Sequence, residues 1–358
     1  MYDPPAMRLP YVVGGAAAAF AASSQARGIV APRAAGCTGG SWEDLAPIPD
    51  LPRQEHTAVA VTPTTVAILG GITGTTAAGA WNDTALVALY DVPTDTWRPA
   101  APLPAALNHP NAAAVDGKIY LLGGLAEAHD ANGTWRAVPD SWVYDPARDE
   151  WASLAPFPAG TERGSAAVGV HGTTIFLAGG LRYMETVAGG TIATVADVSA
   201  FDTAAGTWTH LPDIPLPQPR DHAGAAVVGG KLYVIGGRHI AGRLLVSSTV
   251  YVLDLGDVGA GWATSAAKMP TGRAGHGTAE LGGLVYTFGG EGNLASDDGV
   301  FNQTEVFDPA AEAWASLKPM RLPRHGSAAV AVDGGIIIPG GGVAWGATPV
   351  DVTDLFRP

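Results

Sequence analysis

A single cysteine, Cys37, stands in 358 residues. No internal disulfide can form, and no cysteine-based zinc site is available. Charge is scarce as well: charged residues make up 15%, with 20 basic against 33 acidic side chains and a formal net charge of −13. Nucleic acid and anionic lipid demand a basic surface, so this balance argues against both as partners. No apolar run reaches the roughly 18–20 residues of a membrane span. HExxH strings, phosphate-binding Gly loops and Ser-His-Asp spacings are missing. Asparagine is held to six residues, yet Asn82, Asn132 and Asn302 each have Thr two positions on. Such sequons are expected glycosylation sites on the exposed loops of an exported eukaryotic protein.

What is present points to many short strands. Apolar residues make up 47%, with 48 Gly and 28 Pro, a turn-rich composition that can still bury a large core. The N-terminus reads differently. Arg8, an Ala- and Gly-rich apolar run over 11–22, and Ser24-Gln25-Ala26 have the layout of a secretory signal peptide over residues 1–26, with Met7 as a second candidate start. The plainer alternative is an Ala-rich leader. Residues 27–41 read as a linker and 42–358 as one repeat domain of a secreted protein.

The repeat is marked twice. Gly-Gly pairs follow apolar runs at 70, 123, 179, 236, 289 and 340, spaced 53, 56, 57, 53 and 51 residues apart. Trp42, Trp97, Trp151, Trp208, Trp262 and Trp314 keep the same rhythm. An aromatic-Asp pair lies between them at Tyr90-Asp91, Tyr144-Asp145, Phe201-Asp202 and Phe307-Asp308, and Tyr251 with Asp254 stands in for it in the fourth copy. Gly-Gly, aromatic-Asp and Trp at this period resemble the Kelch repeat. The resemblance covers residue 42 to the C-terminus and implies an all-β, six-bladed propeller whose four-stranded blades run a to d from the axis outwards. The sixth repeat ends without its own Trp strand, and Trp42 lies upstream of the first blade. An N-terminal strand is therefore expected to close the last blade, leaving no unpaired edge.

Strand direction places the d–a and b–c connections on one face, the top. The b–c segments 72–84, 125–140, 181–194, 238–247, 291–303 and 342–349 read as long loops, the usual seat of binding. Counted back from Gly-Gly, His56, His109, Ser165 and His222 share one position at the mouth of the channel, and Arg163, Arg220, Arg273 and Arg324 share another. Arg182, Tyr183, Arg238, His239, Glu291 and Asn293, just past Gly-Gly, face the same mouth, and seven of the nine His fall on this face, His129, His276 and His325 among them. The plain alternative is structural: Arg at these positions can bond the carbonyls of a neighbouring blade.

Among Kelch-type activities, a copper-radical oxidase needs a Cys–Tyr cross-link, which Cys37 is badly placed to supply, and the Glu-x3-Asp-x3-His string of iron-dependent specifier proteins is missing. Sialate mutarotases share the architecture alone. The expected chemistry is cofactor-free isomerisation, elimination or cyclisation of a small polar or anionic molecule, of the kind met in carbohydrate or natural-product pathways. Asp221, His222, His56 and His109 are the candidate proton carriers. Arg163, Arg182, Tyr183, Arg220, Arg238, His239, Arg273, His276, Glu291, Arg324 and His325 are the candidate ligand contacts. A metal on His56, His109 and His222 is conceivable but has no ligand spacing behind it. The alternative is a non-catalytic, monomeric module that binds a glycan or protein.

Overall fold

The computed structural model describes residues 39–75, 81–130, 132–187, 189–240 and 244–358. The expected signal peptide and Cys37 lie outside them. Five four-stranded sheets and one six-stranded sheet are arranged as six blades, all antiparallel. The inner strands are Thr57–Thr62, Ala112–Val115, Ala167–His171, Gly224–Val228, Gly277–Leu281 and Val330–Val332. Each packs against the inner strands on both sides, so the ring is closed. Among the described residues the helical content is one 3-10 turn, Val258–Ala260, and no helix is long and apolar enough to cross a membrane.

The closure expected from the unpaired Trp42 is present. Ser41–Leu45 pairs antiparallel with Thr353–Arg357 and places Trp42 opposite Phe356. The first and last described strands thus share one blade.

The repeated residues are the joints between blades. The first Gly of each pair has positive φ, from 58° to 69°. A Cβ at Gly179, Gly289 or Gly340 would lie 2.3, 2.2 or 2.4 Å from the carbonyl oxygen of Arg220, Arg324 or Arg53 in the next blade. The second Gly then donates its N–H to that same carbonyl: Gly180 to Arg220 at 2.7 Å, Gly290 to Arg324 at 2.8 Å and Gly341 to Arg53 at 2.8 Å. Farther out, each repeated Trp donates its indole N–H back across a blade boundary. Examples are Trp97 to Ala46 O at 2.9 Å, Trp151 to Ala101 O at 3.0 Å and Trp42 to Lys318 O at 3.0 Å. Tyr90 and Tyr144 are buried, their hydroxyls spent on Asp95 at 2.5 Å and Asp149 at 2.6 Å. These rings fill the space between blades, with the polar edge satisfied.

Above the Gly-Gly pairs the first four b–c segments are ribbons rather than loops. Ile72–Thr75 pairs with Trp81–Asp83, Leu125–Glu127 with Thr134–Ala137, and Arg238–Ile240 with Leu244–Val246. In blade 3 the two middle strands run straight through, as Thr174–Glu185 and Ile192–Asp202, and the first also pairs with Thr134–Ala137.

Candidate functional site

Just before each inner strand, one residue forms an isolated bridge with the residue after Gly-Gly. The six pairs are Gln54 with Ile72, Asn108 with Leu125, Gly164 with Leu181, Asp221 with Arg238, Ala274 with Glu291, and His325 with Gly342. The following residue in each blade is Glu55, His109, Ser165, His222, Gly275 or Gly326, and all six adopt a left-handed backbone with φ between 48° and 58°. Their amides form a belt around the axis: Glu55 N to Gly326 O at 2.8 Å, His109 N to Glu55 O at 2.9 Å, Ser165 N to His109 O at 3.0 Å, Gly275 N to His222 O at 2.9 Å and Gly326 N to Gly275 O at 2.9 Å. At the remaining step His222 N donates to Ser165 Oγ at 3.2 Å.

Glycine is the inexpensive residue for this conformation, and blades 5 and 6 use it. A side chain there costs roughly 1–2 kcal/mol, yet blades 1, 2 and 4 carry Glu, His and His. Strain of this kind gathers at functional sites.

This register corrects the placement of His56. Blade 1 contains an irregularity between Ala60 and Thr62, one residue more than its siblings, so counting from Gly-Gly overshoots. Glu55 occupies the mouth. His56 is instead equivalent to His276, and both are buried between blades. The His56 ring lies against the backbone of Gly340, and His276 receives or donates at Thr278 Oγ1, 2.9 Å away. Burial, helped by the neighbouring Arg53 and Arg273, lowers each imidazole to about 3.

That burial has a consequence for His276. The unfolded chain binds a proton below about 6.5 whereas the folded ring does not, so its contribution is complete above 6.5 and is lost as pH falls toward 3. Between pH 7 and 5 the loss is about 2 kcal/mol. Urea midpoints at the two pH values should therefore differ less for His276→Phe than for the natural protein.

The arginines are structural, but they bond their own blades and not the carbonyls of a neighbouring one. Arg163 donates to Thr161 O at 2.6 Å and Leu177 O at 2.9 Å, and Arg220 to Gly236 O at 2.9 Å while stacking 4.2 Å above the Tyr251 ring. Arg273 holds Glu305 at 2.5 Å and Arg324 holds Asp354 at 2.8 Å. All four guanidinium groups are turned into their own blades, away from the mouth, and Arg53 does likewise through Leu86 O at 2.9 Å. Arg182 is partly exposed beside Asp197, Tyr183 lies under Arg136, and His239 bonds Gln218 at 2.9 Å. None of these three joins the central group: Arg182 and His239 sit one residue past their bridge residues, where the strand alternation turns the side chain outward, and Tyr183 lies within the register irregularity between Leu181 and Met184.

What remains at the centre is Glu55, His109, Asp221, His222, Arg238, Glu291 and His325, each at most 1% exposed. Arg238 is its hub, donating Nε to Asp221 at 2.7 Å, Nη1 to Glu291 at 2.6 Å and Nη2 to His222 Nε2 at 3.1 Å. His222 Nδ1 faces Asp221 and, at 3.0 Å, Ser165 Oγ. Burial alone would raise Asp221, but Arg238 and His222 hold it down to about 2. The same burial, with Arg238 beside it, lowers His222 to about 4.

Two carboxyl–imidazole pairs flank this hub. Asn108 commits its amide N–H groups to Asp83 at 2.9 Å, which turns its oxygen to His109 Nδ1. His109 therefore carries its proton on Nδ1, and the lone pair of Nε2 points at Glu55 Oε2, 3.6 Å away. His325 Nε2 similarly donates to Ala344 O at 2.9 Å, leaving Nδ1 toward Glu291 Oε2 at 3.4 Å and Glu55 Oε1 at 3.6 Å. Burial, then the charge of Glu291, pushes Glu55 well above the usual carboxylate range; burial, with Asp221 nearby, pushes Glu291 up to about 8.

The roof is two-sided. Over blades 1 to 3, Ile72, Leu125, Leu181, Met184 and Trp135 form an apolar cluster, with the Trp135 ring 5.5 Å from that of His109. Toward blades 5 and 6, Gln54 ties down the 342–349 loop through Gly346 O at 2.8 Å and Thr348 N at 2.7 Å.

Residues 162–341 match the family model described as the KLHDC2/KLHL20/DRC7 Kelch-repeats domain, and 106–158 match the Kelch motif. Over 328 residues the chain is 43% identical to Kelch-like protein terF of Aspergillus terreus, covering 89% of this chain and 68% of that one. The chain belongs to the Kelch-repeat family. Its Kelch propeller is also 29% identical to Kelch-like protein 34 of Homo sapiens, across 68% of this chain and 36% of that protein. Alpha-scruin of Limulus polyphemus is 26% identical, with 72% and 27% covered. Of these two longer relatives the Kelch propeller spans about a third or less.

Proposed function

We propose that the mouth of the propeller acts on a small polar or anionic molecule by proton transfer. The observation that carries this reading is the pairing of two buried carboxyls with imidazole lone pairs whose proton positions are set from outside, by Asn108 and by Ala344 O. A carboxyl that titrates near neutrality beside a fixed base is suited to acid–base work. Arg238 is the group that would hold a carboxylate, enolate or sugar oxygen. Isomerisation, elimination and cyclisation need no more than these parts.

The test is a comparison of small-molecule profiles between host strains carrying the natural protein, a deletion and Glu291→Gln. Glu291→Gln is expected to reproduce the deletion profile at undiminished protein level. A profile equal to that of the natural protein, with the variant folded, would refute the reading.

A second reading, a glycan- or protein-binding module, is favoured by Leu294, an apolar side chain 87% exposed in the 291–303 loop. Such a module would show saturable binding that Leu294→Asp abolishes, with the ligand recovered unchanged.

We further propose export and glycosylation. Asn82 and Asn132 are exposed and Asn302 half-buried, all three on the top face. Endoglycosidase treatment of protein made by a secreting eukaryotic host should remove up to three glycans; unchanged mobility contradicts this.

A further inference from the structure

We propose that Glu55, His109 and His222 hold one first-row divalent cation at the centre of the propeller mouth. This rests on the reading of the mouth as the functional site and names the cofactor that would work there.

Three observations carry it. The first is charge. The cluster encloses the carboxyls of Glu55, Asp221 and Glu291 against the single guanidinium of Arg238, all at most 1% exposed. Buried charge must be neutralised. With the imidazoles neutral, two negative charges are left over, which two protons or one divalent ion can balance.

The second is donor geometry. One ligand atom from each of Glu55, His109 and His222 lies within 4.8 Å of the others. Glu55 Oε2 and His109 Nε2 are buried, have no hydrogen-bond partner among the described residues and face each other at 3.6 Å. Two ligands each about 2.1 Å from one ion are roughly 3.4 Å apart at a tetrahedral angle. The pair is thus spaced for a shared ion, and His222 would join it by giving up its contact with Arg238.

The third is the support behind His109. The chain Asp83–Asn108–His109 fixes the Nδ1–H tautomer and presents Nε2 inward. Ligating histidines are held in this way by a hydrogen bond on the far nitrogen. Two imidazoles and a carboxylate suit Zn, Fe or Mn far better than Mg or Ca, which seek oxygen. The bound ion would supply a Lewis acid, or a water of lowered pKa, to the proton transfer proposed above.

The experiment uses the full chain, stripped with chelator and dialysed against Zn²⁺ or Mg²⁺ alone, with bound metal measured by mass spectrometry and thermal unfolding recorded in parallel. The natural protein is expected to keep one equivalent of Zn²⁺, none of Mg²⁺, and to melt higher with Zn²⁺. Glu55→Gln, which removes a buried charge and preserves shape, should bind Zn²⁺ at least tenfold more weakly. His171→Ala, at an exposed histidine on the opposite face, should bind like the natural protein. Zn²⁺ uptake equal in the natural protein and folded Glu55→Gln overturns the proposal, as does no uptake at all. Either result leaves the proton-transfer reading standing on Glu291 and His325. Conversely, Zn²⁺ uptake with an unaltered Glu291→Gln profile would overturn that reading and keep the ion.

Discussion

Gly289→Ala should destabilise the propeller by about 3–5 kcal/mol, while Gly282→Ala, seven residues earlier, should cost only about 1–2 kcal/mol. Both glycines have positive φ, 58° and 66°, so the backbone penalty is common to them. They differ in surroundings. The Cβ at Gly289 would meet Arg324 O at 2.2 Å and Met320 Sδ at 3.0 Å, whereas none of the described residues comes within 4 Å at Gly282. Moving the Arg324 carbonyl is costly because Gly290 N–H bonds it at 2.8 Å, so the clash pries two blades apart. Urea midpoints of the two variants measure the difference directly. Equal midpoints would mean that the Gly-Gly pair is not the joint between blades.

Arg273→Met should cost about 3–5 kcal/mol, because it strands Glu305 as an unpaired buried charge. Arg273 bonds Glu305 at 2.5 Å, Thr287 Oγ1 at 2.9 Å and Thr271 O at 2.9 Å, with both members of the ion pair at most 2% exposed. Adding Glu305→Gln to Arg273→Met should recover much of the loss, since the remaining group is neutral and Thr271 Oγ1 can still bond it from 2.8 Å. A double-mutant cycle in denaturant measures the recovery. Strict additivity of the two changes would show that the pair is not coupled.

The six-fold frame was legible because each joint needs a residue type that little else can replace: Gly where a carbonyl sits 2.2–2.6 Å from a would-be Cβ, as at Gly179, Gly236, Gly289 and Gly340, and Trp where an indole must reach the neighbouring blade. Closure by the N-terminal strand followed from the unmatched Trp42. The mouth was legible in outline, through Asp221, His222, His109, Arg238, Glu291 and His325. Its details were not. The irregularity near Val61 shifts blade 1 by one residue, and the plain Ala-Val alternation of Thr57–Thr62 carries no local mark of it, so Glu55 was hidden behind His56. That the arginines bond their own blades and not a neighbouring one also escaped a linear reading, because partners such as Leu177 O and Ile338 O are backbone atoms that every sequence supplies. The ribbon strands Ile72–Thr75, Trp81–Asp83, Leu125–Glu127 and Thr134–Ala137 are three or four residues long and show too little apolar alternation to stand out from a loop.

The proposed chemistry of the mouth depends most on His109 presenting a bare Nε2 to Glu55. Long-range ¹H–¹⁵N correlation spectra of the histidine rings, recorded near pH 7 on chelator-treated protein and assigned with His109→Gln, report which ring nitrogen carries the proton. We expect a neutral imidazole protonated on Nδ1, with Nε2 unprotonated, and loss of this preference in Asn108→Ala. A charged ring, or a neutral one protonated on Nε2, would contradict the fixed lone pair from which the proposed chemistry follows.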